Sequence, residues 1–149
     1  MITEFTEENR WLSNFALVDV VFDGVTYPSV EHAYVAAKTL NPEIRKEVSK
    51  LNSPGSAKRF GRLMTVRYDW DEVKLGIMES LLKQKFKNKK FADKLFETGD
   101  CLIVEGNNWH DNYWGSCSCL WCESVQKQNN LGKLLMRIRI DTRQLSFDF

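Results

Sequence analysis

Two acids and a cluster of large rings are the residues here best suited to chemistry. Glu31 lies in Tyr27–Lys38, YPSVEHAYVAAK, and Asp111 lies in Asn107–Gly115, NNWHDNYWG. Pro28 and Ser29 sit where a helix should begin. Ser29 is a good N-cap, and Val30, Ala33, Tyr34 and Ala37 recur at the spacing of one buried face. Glu31 then falls in the first turn, where the positive end of the helix dipole favours its ionised form. Acids favour first turns for stability alone, so the position is also an ordinary helix start. The second stretch sets Trp109, Tyr113 and Trp114 among amides, an imidazole and a carboxylate. Flat rings suit a nucleobase or a sugar, and amides offer directional hydrogen bonds, which points to ligand binding. Gly115 would permit a backbone angle or a close approach that a side chain forbids.

Glu31, Trp70, Asp111 and Trp114 make a set with a definite chemical reading. Cleaving a ribose N-glycosidic bond builds positive charge on the sugar. One carboxylate can stabilise that charge or orient water, while a second acid manages the proton on the departing base. Trp70 and Trp114 could wall a base or sugar slot. Nothing in the spacing alone brings the four together. An anionic substrate also needs cations. Lys38 lies seven residues, or two helical turns, beyond Glu31 on a similar side. Lys58, Arg62, Lys133 and Arg137 are further candidates, although each singly is an ordinary surface charge. His32 should point off the Glu31 face, as a buried hydrogen-bonded residue. His110, inside the aromatic loop, is within reach of a ligand.

Cys117, Cys119 and Cys122 form C-x-C-x-x-C, close enough to share one metal with Cys101 or a histidine as fourth ligand. The second knuckle pair of a zinc ribbon is missing. Reduced thiols packing a loop are therefore favoured over structural zinc, and no cofactor is expected. No P-loop, G-x-G-x-x-G or H-E-x-x-H is present.

The Ser29–Tyr34 stretch resembles the S-x-E-H-x-Y signature of the YbiA-like, or NADAR, family. Trp11–Phe15, Asp69–Asp71, Asn108–Gly115 and Asn130–Met136 with Arg137 and Arg139 match in the same order. Together they run from near residue 5 to near residue 140. The resemblance implies N-glycosidase activity, with the positions of Glu31, Trp70, Asp111 and Trp114 functional. It also brings Asn14, Phe15, Tyr34 and Trp109 into the expected substrate-binding set, beside Lys38, Arg62 and Gly115. The implied substrate is a phosphoribosyl intermediate of riboflavin synthesis or an ADP-ribose group on a base, guanine in nucleic acid included. A rival reading is a module that binds ADP-ribose or a nucleotide without cleaving it. Acids at both Glu31 and Asp111 favour the enzyme, because an anion binder gains little from two buried negative charges. A third is a small zinc-dependent nucleic-acid-binding module built on the cysteines.

The elements that must position these residues follow from local signals. Leu17–Phe22 reads as a strand, Asp23-Gly24 as a hairpin turn, and Val25–Tyr27 as the return into the Glu31 helix. Helices are expected over 42–51 and through Ala57, Phe60 and Leu63. Asp69 should cap the longest helix, with Glu72 completing a capping box. A short helix carries Phe91, Leu95 and Phe96 and ends at Gly99, and Cys101–Glu105 reads as a buried strand. A last helix presents Leu131, Leu134, Leu135 and Ile138, with residues 142–149 as a peripheral tail. The fold class expected is α+β, mainly helical: one compact domain over residues 1–149 with a small β-hairpin.

With 149 residues, the chain is long enough for one good core. Its net charge of +1 gives no global pull towards nucleic acid or an acidic membrane, and the lysines between Lys83 and Lys94 read as a solvated face. No apolar run approaches the roughly 20 residues that span a bilayer. The acidic, polar N-terminus argues against a signal peptide, so a cytoplasmic protein with reduced cysteines is expected.

Overall fold

The computed structural model describes residues 1–147 and is a mainly helical α+β fold. Its contacts gather into two compact units. One comprises Asn14–Lys85; the other comprises Met1–Ser13 with Phe86–Phe149.

The first unit is built round a small helix. Strands β1 (Leu17–Phe22) and β2 (Val25–Ser29) pair antiparallel through a turn in which Asp23 and Gly24 both take positive φ, 47° and 78°. That is the backbone hand a two-residue hairpin needs. Ser29 then caps α1 (Val30–Ala37), its Oγ accepting the His32 amide at 3.1 Å. Helices α2 (Pro42–Ser49), α3 (Pro54–Arg62) and α4 (Trp70–Lys85) complete the unit, and α1 packs against all three and both strands. Burial all round follows: seven of the eight residues of α1 are buried, and Glu31 is the exception. Asn41 and Ser53 cap α2 and α3, each followed by proline at the first helical position. Ahead of α4, both carboxylate oxygens of Asp69 accept from the Arg67 guanidinium, at 2.5 and 3.0 Å.

The second unit starts with a bridge. Ile2 donates to the Leu102 carbonyl and accepts from Val104, both at 2.8 Å, and pairs in parallel with Ile103. The chain continues through a 3-10 helix (Glu7–Leu12) and returns at α5 (Lys89–Glu97). Gly99, at φ 62°, makes the reversal after α5. Cys101–Glu105 is not the regular buried strand its composition suggests. Only Ile103 in it is buried, and its pairing is the single bridge to Ile2. Short strands β3 (Gly106–Asn107) and β4 (Ser116–Cys117) pair in parallel, and a 3-10 turn (Leu120–Cys122) follows.

The last helix, α6 (Asn130–Phe147), buries Leu131, Leu134, Leu135 and Ile138. At 18 residues it exceeds the 16 of α4, which the sequence marks as longest. It also takes in residues 142–147, expected as a tail. Arg143 holds this end, bonding the Gly99 carbonyl and the Asp100 carboxylate. Residues 148 and 149 lie outside the described residues. Among the described residues, no helix is long and apolar enough to cross a membrane.

Candidate active site

Glu31 leaves α1 at its first turn with its amide bonded to the Asn14 carbonyl at 3.1 Å. Enclosure raises its pKa from the ordinary glutamate value, while Lys58, Lys38 and Arg62 pull it back down. Three cations from two elements thus act on one carboxylate. Helix periodicity accounts for Lys38. Lys58 and Arg62 come from α3, which can lie close because Gly61 faces Val35 of α1; a Cβ on Gly61 would sit 3.0 Å from a Val35 methyl. Lys38 is itself lowered by burial and held up by Glu31.

Aromatic surface lies near these charges. The Lys38 ammonium sits 5.4 Å from the Tyr34 ring centre, and the Lys58 ammonium 5.8 Å from that of Phe15. Tyr34 packs on Trp70 with centroids 5.0 Å apart and planes tilted by 57°. Both rings are buried, whereas Phe15 is exposed. Asn14 places its amide nitrogen 3.6 Å from the Met78 sulfur. His32 is buried: its Nδ1 meets Ser29 Oγ at 2.7 Å and its Nε2 lies 3.0 Å from the Leu51 carbonyl. It fastens α1 to the chain just after α2.

The second unit holds Asp111, Trp109, Trp114 and Gly115 in the loop between β3 and β4. The polar groups of this loop are largely committed to its own backbone, which its composition does not reveal. Asn107 accepts from the amides of Trp109 and Asp111 and donates to the Asp111 carbonyl at 2.8 Å. Asp111 Oδ1 accepts from the amides of Tyr113 and Trp114, at 3.1 and 2.8 Å, and Asn112 accepts from Cys117. The Tyr113 and Trp114 rings meet edge to face at 4.8 Å, and Trp109 stands exposed. Lys133 and Arg137 are exposed on α6.

Gly115 is required for close approach: a Cβ there would collide with the Glu105 carbonyl and carboxylate and the Asn107 amide. Overpacking costs about 1–3 kcal/mol, and Gly115→Ala should reach the upper end because one obstacle is backbone. An unchanged melting temperature in Gly115→Ala would contradict this.

His110 turns towards the cysteines at φ 72°, and its Nδ1 lies close to the sulfurs of Cys117, Cys119 and Cys122. The sequence leaves the fourth donor between Cys101 and a histidine; the structure supplies His110. Among these thiols, burial alone would raise Cys117. Hydrogen bonds from Cys119, His110 and Cys122 outweigh it and bring the thiol down to about 6.

The chain is 34% identical over 130 residues to N-glycosidase YbiA of Shigella boydii, an alignment covering 85% of this chain and 78% of that protein. It is 27% identical over 141 residues to a riboflavin biosynthesis protein of Vibrio vulnificus, covering 93% of this chain and 37% of that longer protein. The solved structure of Escherichia coli YbiA superposes with a TM-score of 0.81 at 29% identity, over 99% of this chain and 86% of that one. The NADAR domain profile matches residues 3–143, and this chain belongs to the NADAR domain family.

Proposed function

We propose that this NADAR-family N-glycosidase hydrolyses the bond between ribose and a nitrogen base in a phosphorylated, nucleotide-like substrate. The observation that carries the reading is the one residue of α1 left out of the core, an acid acted on by Lys58, Lys38 and Arg62. A carboxylate there can stabilise a developing oxocarbenium ion, and clustered cations suit a substrate's phosphate groups. Asp111 takes the part of second acid, managing the proton on the departing base. Two substrate classes fit. One is a phosphoribosylamino-pyrimidine, supported by the riboflavin-pathway name of the Vibrio relative. The other is an ADP-ribosylated base, whether free or in nucleic acid. The partner is a small nucleotide-like molecule in the first case and a free conjugate or a modified nucleic acid in the second, and cytoplasmic residence is proposed with both.

Incubating the protein with both classes and following free base by chromatography tests the proposal. Release from one class identifies the substrate. Tight binding with no release from any of them would replace hydrolysis by the binding-module reading.

Asp111 allows a finer test, because its Oδ1 is already committed to two backbone amides. Asp111→Asn keeps an acceptor for that turn and removes the acid. Asp111→Ala removes both. Loss of turnover of about 10²–10⁴-fold in both variants, with melting temperature falling only in Asp111→Ala, is the expected outcome. Full turnover in Asp111→Asn would reduce Asp111 to a residue that shapes the loop.

A further inference from the structure

One concentrated set of soft donors lies outside the acid and its cations. His110, Cys117, Cys119 and Cys122 bring an imidazole nitrogen and three sulfurs within 4.8 Å of one another. From His110 Nδ1 the sulfurs of Cys119, Cys122 and Cys117 lie at 3.3, 3.3 and 3.9 Å. Hydrogen bonding alone does not account for this convergence. Nδ1 offers one proton or one lone pair, so it can satisfy one thiol and not three. A shared ion does account for it. Tetrahedral zinc, with sulfur at about 2.3 Å and nitrogen at about 2.0–2.1 Å, sets nitrogen-to-sulfur edges of about 3.5 Å. The three observed distances bracket that value.

We infer that His110, Cys117, Cys119 and Cys122 form a structural zinc site that ties the aromatic loop to β4 and the 3-10 turn after it. Three thiolates and an imidazole are the donors that zinc favours, with no carboxylate in the set to suit magnesium or calcium. Four protein ligands close the coordination sphere and leave no position for water or substrate, so the ion holds structure and performs no reaction.

Two features of the surroundings serve the same end. Backbone hydrogen bonds from Cys119 and His110 reach the Cys117 sulfur, and the Asn112 side chain bonds that of Cys122. Donors of this kind orient ligands. His110 also adopts φ 72°, a conformation that residues with a Cβ rarely take unless their surroundings impose it. That turn directs the imidazole to the sulfurs while its neighbours, Trp109 and Asp111, stay in the loop. Cys101 is outside the set.

The test is metal content and a cobalt spectrum on the full chain. Protein purified without chelator, after expression in zinc-supplemented medium, should carry one zinc per chain. Replacing it with cobalt(II) should give the intense absorption of a tetrahedral thiolate site. A chelator strong enough to strip zinc should lower the melting temperature, and zinc should restore it. Cys119→Ser and His110→Ala should lose zinc, whereas Cys101→Ser should keep both zinc and the cobalt spectrum. Should those variants fail to fold, the cobalt spectrum of the unmodified protein still decides. Any of three results overturns the inference: metal-free protein indifferent to added zinc, a weak octahedral cobalt spectrum, or a disulfide among the three cysteines.

Discussion

Glu31→Gln should lower turnover by about 10²–10⁴-fold, the contribution of a positioned proton-transfer group, and should raise the melting temperature at neutral pH. In the proposed mechanism the loss follows from removing the charge that would face the developing cation. The gain follows from linkage. Enclosure raises the pKa of Glu31, so the folded state holds that proton more tightly than the unfolded state does. Stability therefore falls as pH rises from the ordinary glutamate value through the folded one. Above both, the folded protein bears the whole cost of a desolvated carboxylate, and glutamine is free of it. The gap in melting temperature should close as pH drops below the ordinary carboxylate range. Substrate affinity should hold or improve, since the carboxylate repels phosphate. Melting curves across pH, with base release measured on the same samples, check both halves. Normal turnover would remove Glu31 from the chemistry, and a variant less stable at neutral pH would contradict its enclosure.

The largest effect on stability should come from Trp70→Ala. The sequence places Trp70 as a wall of the substrate slot, but only 8% of its surface is exposed. It packs on Tyr34, itself 9% exposed. Truncating such a ring costs about 3–5 kcal/mol, through lost transfer energy and the cavity left behind. Trp109, at 55% exposed, has less burial to lose, and Trp109→Ala should shift the denaturation midpoint less than Trp70→Ala does. Denaturant unfolding of both variants separates them. An unshifted midpoint in Trp70→Ala would contradict its place in the core.

What could be read in the sequence divides along local and non-local physics. Asp23-Gly24 dictates a hairpin because few residues accept two successive positive φ angles, and Ser29 announces a helix start because capping uses neighbouring residues. The same locality made Lys38 legible beside Glu31. Arg62 and Lys58 depend on a helix contact at Gly61 and Val35, which no spacing encodes. Cys101–Glu105 has strand composition, yet its partner is a single distant residue, Ile2. The amides of Asn107 and Asn112 look like ligand contacts until the path of the loop shows which backbone groups they satisfy. His110 could not be chosen over Cys101 as a fourth donor, because a left-handed backbone at one histidine has no signal in composition.

The bridge between Ile2 and Ile103 has a consequence for how the chain is made. The unit formed by Asn14–Lys85 is continuous in sequence, so all its contacts exist once residue 85 has left the ribosome. Met1–Ser13 precedes that unit in the chain, yet Ile2 is bonded to Leu102 and Val104, which follow it. Domains tend to fold as units during synthesis, and contacts of long sequence separation form late because loop closure must precede them. The order of folding therefore reverses the order of translation at this end. Ile2 cannot pair until the chain has been made through Val104.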